Sequence, residues 1–273
     1  ELAKRGYEGV GSDIAPEYSG AADGSAVTKM PYVQLDITDK EAVEKVLTEI
    51  KPDVVVHCAA WTAVDLAEDD DKVEKVRKVN VTGTENIALA CKKLDCKMVY
   101  LSTDYVFDGM GTEPWQPDCK TYKPLNVYGE TKLGGELAVS ENLEKYFIVR
   151  IAWVFGVNGK NFIKTMLNLG KTHDKLTVVC DQIGTPTYTY DLARLLVDMI
   201  ETEKYGYYHA TNEGGYISWY DFTKEIFRQA IEQGHTEYAK VEVKPVTTAE
   251  YGASKAKRPF NSRLDKSKLV ENG

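Results

Sequence analysis

The sequence predicts an α/β protein whose parallel β-sheet is covered by helices on both faces. Three observations predict it. Strand-like and helix-like segments alternate through the first half of the chain, the pattern of βαβ units. The strands are apolar without polar alternation, as in Asp53-Val54-Val55-Val56-His57-Cys58, which fits a sheet buried on both sides. The chain has 273 residues, 43% hydrophobic and 28% charged, an ordinary globular composition long enough for two domains or one large one. Crossovers between such strands should be right-handed.

Each element has its own signal. Glu1-Leu2-Ala3-Lys4-Arg5-Gly6 reads as the last turns of a helix closed by a glycine cap. A strand from Tyr7 to Ser12 follows and ends at Asp13. Nothing in this opening has the ordered regions of a targeting peptide. It implies an N-terminal strand and turn ahead of Glu1. Thr38-Asp39-Lys40-Glu41 reads as a capping box, with Val43, Val46, Leu47 and Ile50 at helical spacing behind it. Pro52 punctuates before the Asp53–Cys58 strand. A long helix is expected from Asp70 to Leu94, with a break near Val81 to Thr84. Lys97 to Ser102 is the next strand, Glu130 to Asn142 a helix and Tyr146 to Ile151 a strand.

The second half is more mixed. Asn161 to Leu169 reads as helix, Leu176 to Cys180 as strand and Thr189 to Glu201 as helix. Ser218 and Asp221 form a capping box ahead of a stripe of Phe222, Ile226, Phe227, Ala230 and Ile231, and Gly234 ends that helix. Val241 to Val246 is a short strand. No internal repeat is present. A boundary is expected near Gly156, dividing residues 1–156 from 157–273, with part of 181–212 returning to the first unit.

Composition narrows the function classes. The net charge is −8 with no basic cluster, which argues against nucleic acid as a partner. No apolar run is long enough for a membrane helix. Cys58, Cys91, Cys96, Cys119 and Cys180 form no C-x-x-C pair, and an odd count fits free thiols in a reducing cytoplasm. The four histidines never form H-E-x-x-H, so no metal site is expected. Glu68-Asp69-Asp70-Asp71 reads as the solvated first turn of a helix, where the macrodipole favours acids. Gly9-Val10-Gly11 lies within a strand and is no dinucleotide-binding turn.

The chemical signal is Tyr128-Gly129-Glu130-Thr131-Lys132. At i, i+4 on a helix, tyrosine and lysine share one face. An ammonium near a phenol favours the phenolate and lowers its pKa from ~10, making an acid or base for neutral pH. Alone, this spacing describes many solvated helix surfaces. Upstream, however, a strand ends in Ser102-Thr103-Asp104-Tyr105, and the carboxyl ends of parallel strands are where open α/β sheets bind ligands.

With these residues in place the chain resembles the extended short-chain dehydrogenase/reductases. Within them it resembles the dTDP-4-dehydrorhamnose reductase family, over nearly its whole length. The segments that carry the likeness are Cys58-Ala59-Ala60-Trp61-Thr62-Ala63-Val64-Asp65, Asn80-Val81-Thr82-Gly83-Thr84 and Ser102 to Gly109. Further matches are the Tyr128/Lys132 motif, Arg150 to Gly156, Asn161-Phe162, Asp181 to Thr187, and Arg258-Pro259-Phe260-Asn261-Ser262.

The resemblance implies a nicotinamide-binding Rossmann-type unit over residues 1–156 and a smaller α/β sugar-nucleotide unit over 157–273. It implies reduction of the C4 ketone of a dTDP-4-keto-6-deoxy-L-hexose by NADPH or NADH, giving dTDP-L-rhamnose. By the same implication Tyr128 protonates the C4 oxygen, and Lys132 lowers the tyrosine's pKa and holds the nicotinamide ribose. Thr103 polarises the substrate oxygen, and Asp104 contacts the sugar or tunes the site. Trp153 packs on the sugar ring, and Val64, Asn161 and Arg258 join the substrate side. Asp13 binds the adenosine ribose, which favours NADH over NADPH. Asp36 and Ile37 flank the adenine, Ala59, Ala60 and Thr62 line the dinucleotide, and Asn80 supports the site. Some members carry magnesium at a dimer contact, whose ligands do not map onto this chain; a homodimer is implied. The family's glycine-rich loop is expected just ahead of Glu1, within an upstream segment of roughly 15–20 residues given ordinary strand and turn lengths. Two other readings share the fold: a regulatory subunit like the methionine adenosyltransferase β subunit, and another nucleotide-sugar reductase or epimerase.

Overall fold

The computed structural model describes residues 1–18 and 30–273. Ala3–Arg5 forms a single 3₁₀ turn closed by Gly6 at φ +79°, the left-handed cap that glycine adopts without strain. Strand β1 (Gly11–Asp13) pairs in parallel with β2 (Tyr32–Gln34), so the strand expected from Tyr7 is confined to its end.

Helix α1 (Lys40–Ile50) starts one residue later than the capping box predicts. Asp39 is its cap, accepting from the Ala42 amide at 3.0 Å. Thr38 is diverted because the Asp36 carboxylate takes both its amide (2.9 Å) and its hydroxyl (2.8 Å). Strand β3 (Val54–His57) follows, then α2 (Val73–Arg77) and α3 (Thr84–Leu94). The expected break between them is a π-helical turn over Lys78–Gly83.

Strands β4 (Lys97–Thr103) and β5 (Tyr146–Ile151) flank helix α4 (Val127–Asn142). Past β5 come β6 (Val154–Phe155), α5 (Phe162–Thr172), β7 (Lys175–Val179), β8 (Ile183–Gly184), β9 (Thr187–Tyr188), α6 (Thr189–Ile200) and β10 (Gly206–His209). The chain ends through β11 (Ile217–Ser218), α7 (Trp219–Glu232), β12 (Glu242–Val246), α8 (Thr248–Tyr251), β13 (Asn261–Ser262) and α9 (Ser267–Glu271). The capping box of Ser218 and Asp221 forms as the sequence predicts.

The central sheet has the order β10-β5-β4-β3, all parallel. Alternate residues of its strands enter different cores. Met98, Tyr100 and Ile148 pack with Val43, Leu47, Ile87 and Val139 from α1, α3 and α4. Val99, Phe147 and Val149 pack with Leu192, Leu196 and Ile200 from α6. Both faces are therefore covered, which is why β4 needs no polar alternation. The pairing of β10 with β5 brings the chain back to this sheet after its excursion beyond Gly156. A third core, around Met166, Leu176, Phe222 and Phe227, joins α5, β7 and α7.

Candidate functional site

The carboxyl ends of β3 and β4 and the first turn of α4 define the site. β4 ends at Thr103, whose Oγ1 accepts from the Tyr105 amide at 3.2 Å and donates to Asp104 at 3.0 Å. Thr103 and Asp104 are both buried, and Asp104 Oδ2 has no hydrogen-bond partner. Burial pushes the Asp104 carboxyl up to about 6, against the pull of the Ser262 and Thr103 hydroxyls.

Helix α4 begins at Val127 instead of Glu130, because Asn126 caps it by accepting from the Gly129 amide at 2.7 Å. Tyr128 thereby sits in the first turn, edge-on to Tyr105 with ring centroids 5.5 Å apart. Gly129 allows the close approach: a Cβ there would lie 2.4 Å from the Tyr105 carbonyl oxygen. One turn on, Lys132 is buried, donates to the Leu101 carbonyl at 2.7 Å, and lies 4.1 Å from the centre of the Tyr100 ring.

The electrostatics differ from the expectation that Lys132 lowers the Tyr128 pKa. Desolvation pushes the phenol up to about 12, opposed by a hydrogen bond with Thr103 and reinforced by the Asp104 charge. Lys132 is not among the causes. Burial instead draws Lys132 itself down to about 7, with Glu136 holding it up. At this site desolvation outweighs the charge pairing that the spacing suggested.

Asn80 lies in the π-helical turn, a distortion that recurs at functional sites. Its Oδ1 accepts from the Trp61 amide at 2.8 Å, and its Nδ2 donates to the Trp61 carbonyl at 3.2 Å and to Thr131 at 3.0 Å. This pins the segment after β3, where Ala59 and Thr62 are exposed and Ala60 and Val64 half-buried. Behind it, His57 meets Thr84 at 3.0 Å, and burial pushes its pKa down to about 3.

Asp13 ends β1 with its side chain exposed, accepting from the Ala15 amide at 3.1 Å. Asp36 is held by Thr38 as described, and Ile37 packs against Gly83. Trp153 is half-buried, adopts φ +51°, and stacks on Trp219 with centroids 3.7 Å apart. Strain of this kind in a bulky residue clusters at ligand sites. Arg258 pairs with Asp65 at 2.6 and 3.1 Å. Asn161 caps α5, accepting from the Lys164 amide and donating to the Gly156 carbonyl, so both ends of its amide are engaged in local structure.

The acidic run does more than face solvent. Glu68 accepts from the Val127 amide at 2.7 Å and Asp69 pairs with Lys255. Among the described residues no group of three or more His, Cys, Asp or Glu could hold a metal ion. Tyr105, Trp219, Glu136 and Arg150 were not singled out as site residues from sequence. Tyr105 and Arg150 stand in segments that carry the likeness, and Glu136 lies eight residues after Tyr128 on the same helix face.

The chain is similar to known proteins over most of its length. The family model described as the RmlD substrate binding domain matches residues 6–273. The dTDP-4-dehydrorhamnose reductase of Aggregatibacter actinomycetemcomitans is 41% identical over 251 residues, covering 90% of this chain and 83% of that protein. The Salmonella typhimurium enzyme of the same name is 40% identical over 242 residues, covering 87% and 79%. The crystal structure of dTDP-4-dehydrorhamnose reductase from Bacillus anthracis in complex with NADP superposes with a TM-score of 0.82 at 37% identity, covering 97% of this chain and 92% of that one.

Proposed function

The chain belongs to the RmlD family, and from that premise we propose that it is a dTDP-4-dehydrorhamnose reductase, reducing the C4 ketone of dTDP-4-dehydro-β-L-rhamnose to dTDP-L-rhamnose. The observation that carries the reading is the convergence of Thr103, Tyr128 and Lys132 at the carboxyl end of β4.

The residues present fit a nicotinamide dinucleotide. Ala59, Ala60 and Thr62 are small and open at the carboxyl end of β3, and Asn80 fixes their backbone. Lys132 is close to Cys58, the residue before them, and the exposed Asp13 carboxylate at the end of β1 gives one oxygen to the Ala15 amide and has the other for a ribose. The cofactor supplies the hydride equivalent when bound. An acid at Asp13 disfavours a 2′-phosphate, so the preference is for NADH. No residues are assigned to magnesium.

A phenol pushed up to about 12 keeps its proton throughout the neutral range. That is the state a donor to the C4 oxygen needs, and Tyr128 fills this role. Thr103 hydrogen-bonds the same oxygen by turning toward it the one hydroxyl proton that it gives to Asp104 in this structure. Lys132 holds the ribose and places positive charge near the developing alkoxide. Trp153 supports the sugar ring, and Val64 and Arg258 line the substrate side. Residues 1–156, with the returning part of 181–212, take the cofactor. The remainder of 157–273 takes the sugar nucleotide. We place the enzyme in the cytoplasm, where its five unpaired cysteines stay reduced, and expect a homodimer.

The test is the reaction. Purified protein is given the dTDP-4-dehydro sugar with NADH or NADPH, and products are resolved by NMR. Stoichiometric cofactor oxidation with dTDP-L-rhamnose supports the reading. Interconversion of sugars without net oxidation would make the protein an epimerase.

A further inference from the structure

We propose that Trp219 is a positioning residue: its indole is the plate that holds the Trp153 ring in place, and that hold sets the affinity for the sugar nucleotide. The inference rests on the reading of Trp153 as the support of the sugar ring given above, and it gives the Asp181–Thr187 segment a task.

Trp153 has a conformation that needs holding. A bulky side chain at φ +51° is strained, and such strain persists only where the surroundings over-determine it. Thr187 takes two successive carbonyls: its hydroxyl donates to Ala152 at 2.5 Å and its amide to Trp153 at 3.1 Å. Gly184 on β8 leaves room for the ring, since a Cβ there would lie 3.1 Å from Trp153 Cε2 and 3.0 Å from Ser262 Cβ. The Ser262 hydroxyl in turn pulls on the Asp104 carboxyl, so the contacts around Trp153 run on to Asp104 and Thr103. What remains is a face of the ring, and Trp219 covers it. The two indoles stack with centroids 3.7 Å apart and 17° between their planes.

Trp219 is itself anchored. Strand β11 pairs antiparallel with β8, Ser218 opposite Ile183, and the chain then enters α7 at Trp219. The Trp219 Nε1 donates to Gln182 Oε1 at 3.2 Å, the Gln182 amide donates to the Thr248 hydroxyl at 3.2 Å, and that hydroxyl donates to Asp181 at 2.6 Å. Phe162 packs on Trp219 with centroids 4.5 Å apart. A residue that only filled space would need bulk and no such chain; a hydrogen-bonded indole has both its position and its tilt fixed. Trp153 and Trp219 are both half-buried and pack at the margin of the core around Met166 and Phe222. The stack is therefore a ledge at the border of that core, with part of its surface open.

The test is a double-mutant cycle in the full-length protein, read as KM and kcat for the dTDP-4-dehydro sugar and as cofactor affinity. Trp219→Leu keeps an apolar side chain but has no flat face. It should raise KM about tenfold, with kcat within about twofold and cofactor affinity unchanged, the pattern of binding lost equally from ground and transition states. In a Trp153→Ala background the same change should add nothing, because Trp219 acts only through Trp153. Gln182→Leu keeps the stack but frees the indole Nε1. It should raise KM about threefold, as for one lost hydrogen bond, and be silent in the same background; it carries the cycle if Trp219→Leu fails to fold. A wild-type KM in the folded variants, or the same loss repeated on top of Trp153→Ala, would make Trp219 a core filler or a direct contact and overturn the proposal. Failure of the underlying reading looks different: Trp153→Ala alone would then leave KM for the sugar nucleotide unchanged.

Discussion

At the scale of single residues, burial decides the chemistry. Tyr128 and Lys132 are each shifted mainly by desolvation, in opposite directions. Tyr128 is thereby held protonated, and Tyr128→Phe should lower kcat by about 10²–10⁴-fold. Cofactor affinity, read by fluorescence titration, should barely change; a matching loss of affinity would mean that the phenol binds the cofactor instead of donating a proton. Asp104 gives a prediction of a different kind. Its folded carboxyl titrates at about 6 against 3.8 for an ordinary aspartate. The folded protein therefore holds this proton more tightly than the unfolded chain does. That contribution is fully present below about pH 4 and is lost as pH rises through 6. Asp104→Asn should accordingly be more stable than the wild type at pH 8, by about 2–3 kcal/mol, with the gain gone by pH 4. Turnover should fall in the same variant, because the carboxylate bonded to the Thr103 hydroxyl is lost. Thermal melts across pH check this, and a gain independent of pH would mean that Asp104 is not buried as a charge.

At the scale of elements, α4 carries the site, and its start is its most sensitive point. Asn126 caps the helix, and Glu68 accepts from the next amide. Gly129 then lets the first turn close on the Tyr105 carbonyl. Gly129→Ala would drive a Cβ to 2.4 Å from that oxygen, which is backbone and cannot rotate away. A loss of about 1–3 kcal/mol is expected, with a fall in kcat larger than the fall in cofactor affinity, because Tyr128 is displaced from Thr103. Denaturant melts and steady-state kinetics measure the two. These elements were legible in unequal degree. β5 has the limits that its apolar run gives, Tyr146–Ile151. α4 begins earlier than its periodicity shows, since Val127, Tyr128 and Gly129 precede the repeating stripe and only the Asn126 cap marks them. At α1 two capping residues stand side by side, and only the position of Asp36 decides between Thr38 and Asp39. The break between α2 and α3 was readable, but its π-helical form was not, because apolar spacing does not report which carbonyl an amide reaches.

At the scale of the whole molecule, contacts distant in sequence close the site, and these were the least legible. The Tyr128/Lys132 spacing names a pair, but its surroundings come from β4 and the turn after it: Tyr105 lies edge-on to Tyr128, and the Leu101 carbonyl and Tyr100 ring hold Lys132. Trp153 meets Trp219 across 66 residues, and nothing local announces that stack. The carboxyl-terminal segment straps across the side proposed for the substrate. The Ala256 amide donates to Asp65 at 3.0 Å, the Lys257 carbonyl accepts from Asn126 at 2.7 Å, and β13 pairs with β8. Arg258 completes the strap by its fork on Asp65, with side chains 24% and 46% exposed. At that exposure the ion pair adds under about 1 kcal/mol to stability once solvent screening is counted. Its value is positional: it ties the loop after β3, which carries Val64, to the far end of the chain. Arg258→Gln should therefore leave the melting temperature nearly unchanged. It should lower kcat/KM for the sugar nucleotide by about tenfold, equivalent to ~1.4 kcal/mol, with cofactor affinity intact. Equal losses for cofactor and sugar nucleotide would mean that the strap shapes the whole cleft, and a large drop in melting temperature would make it a stabilising clamp instead.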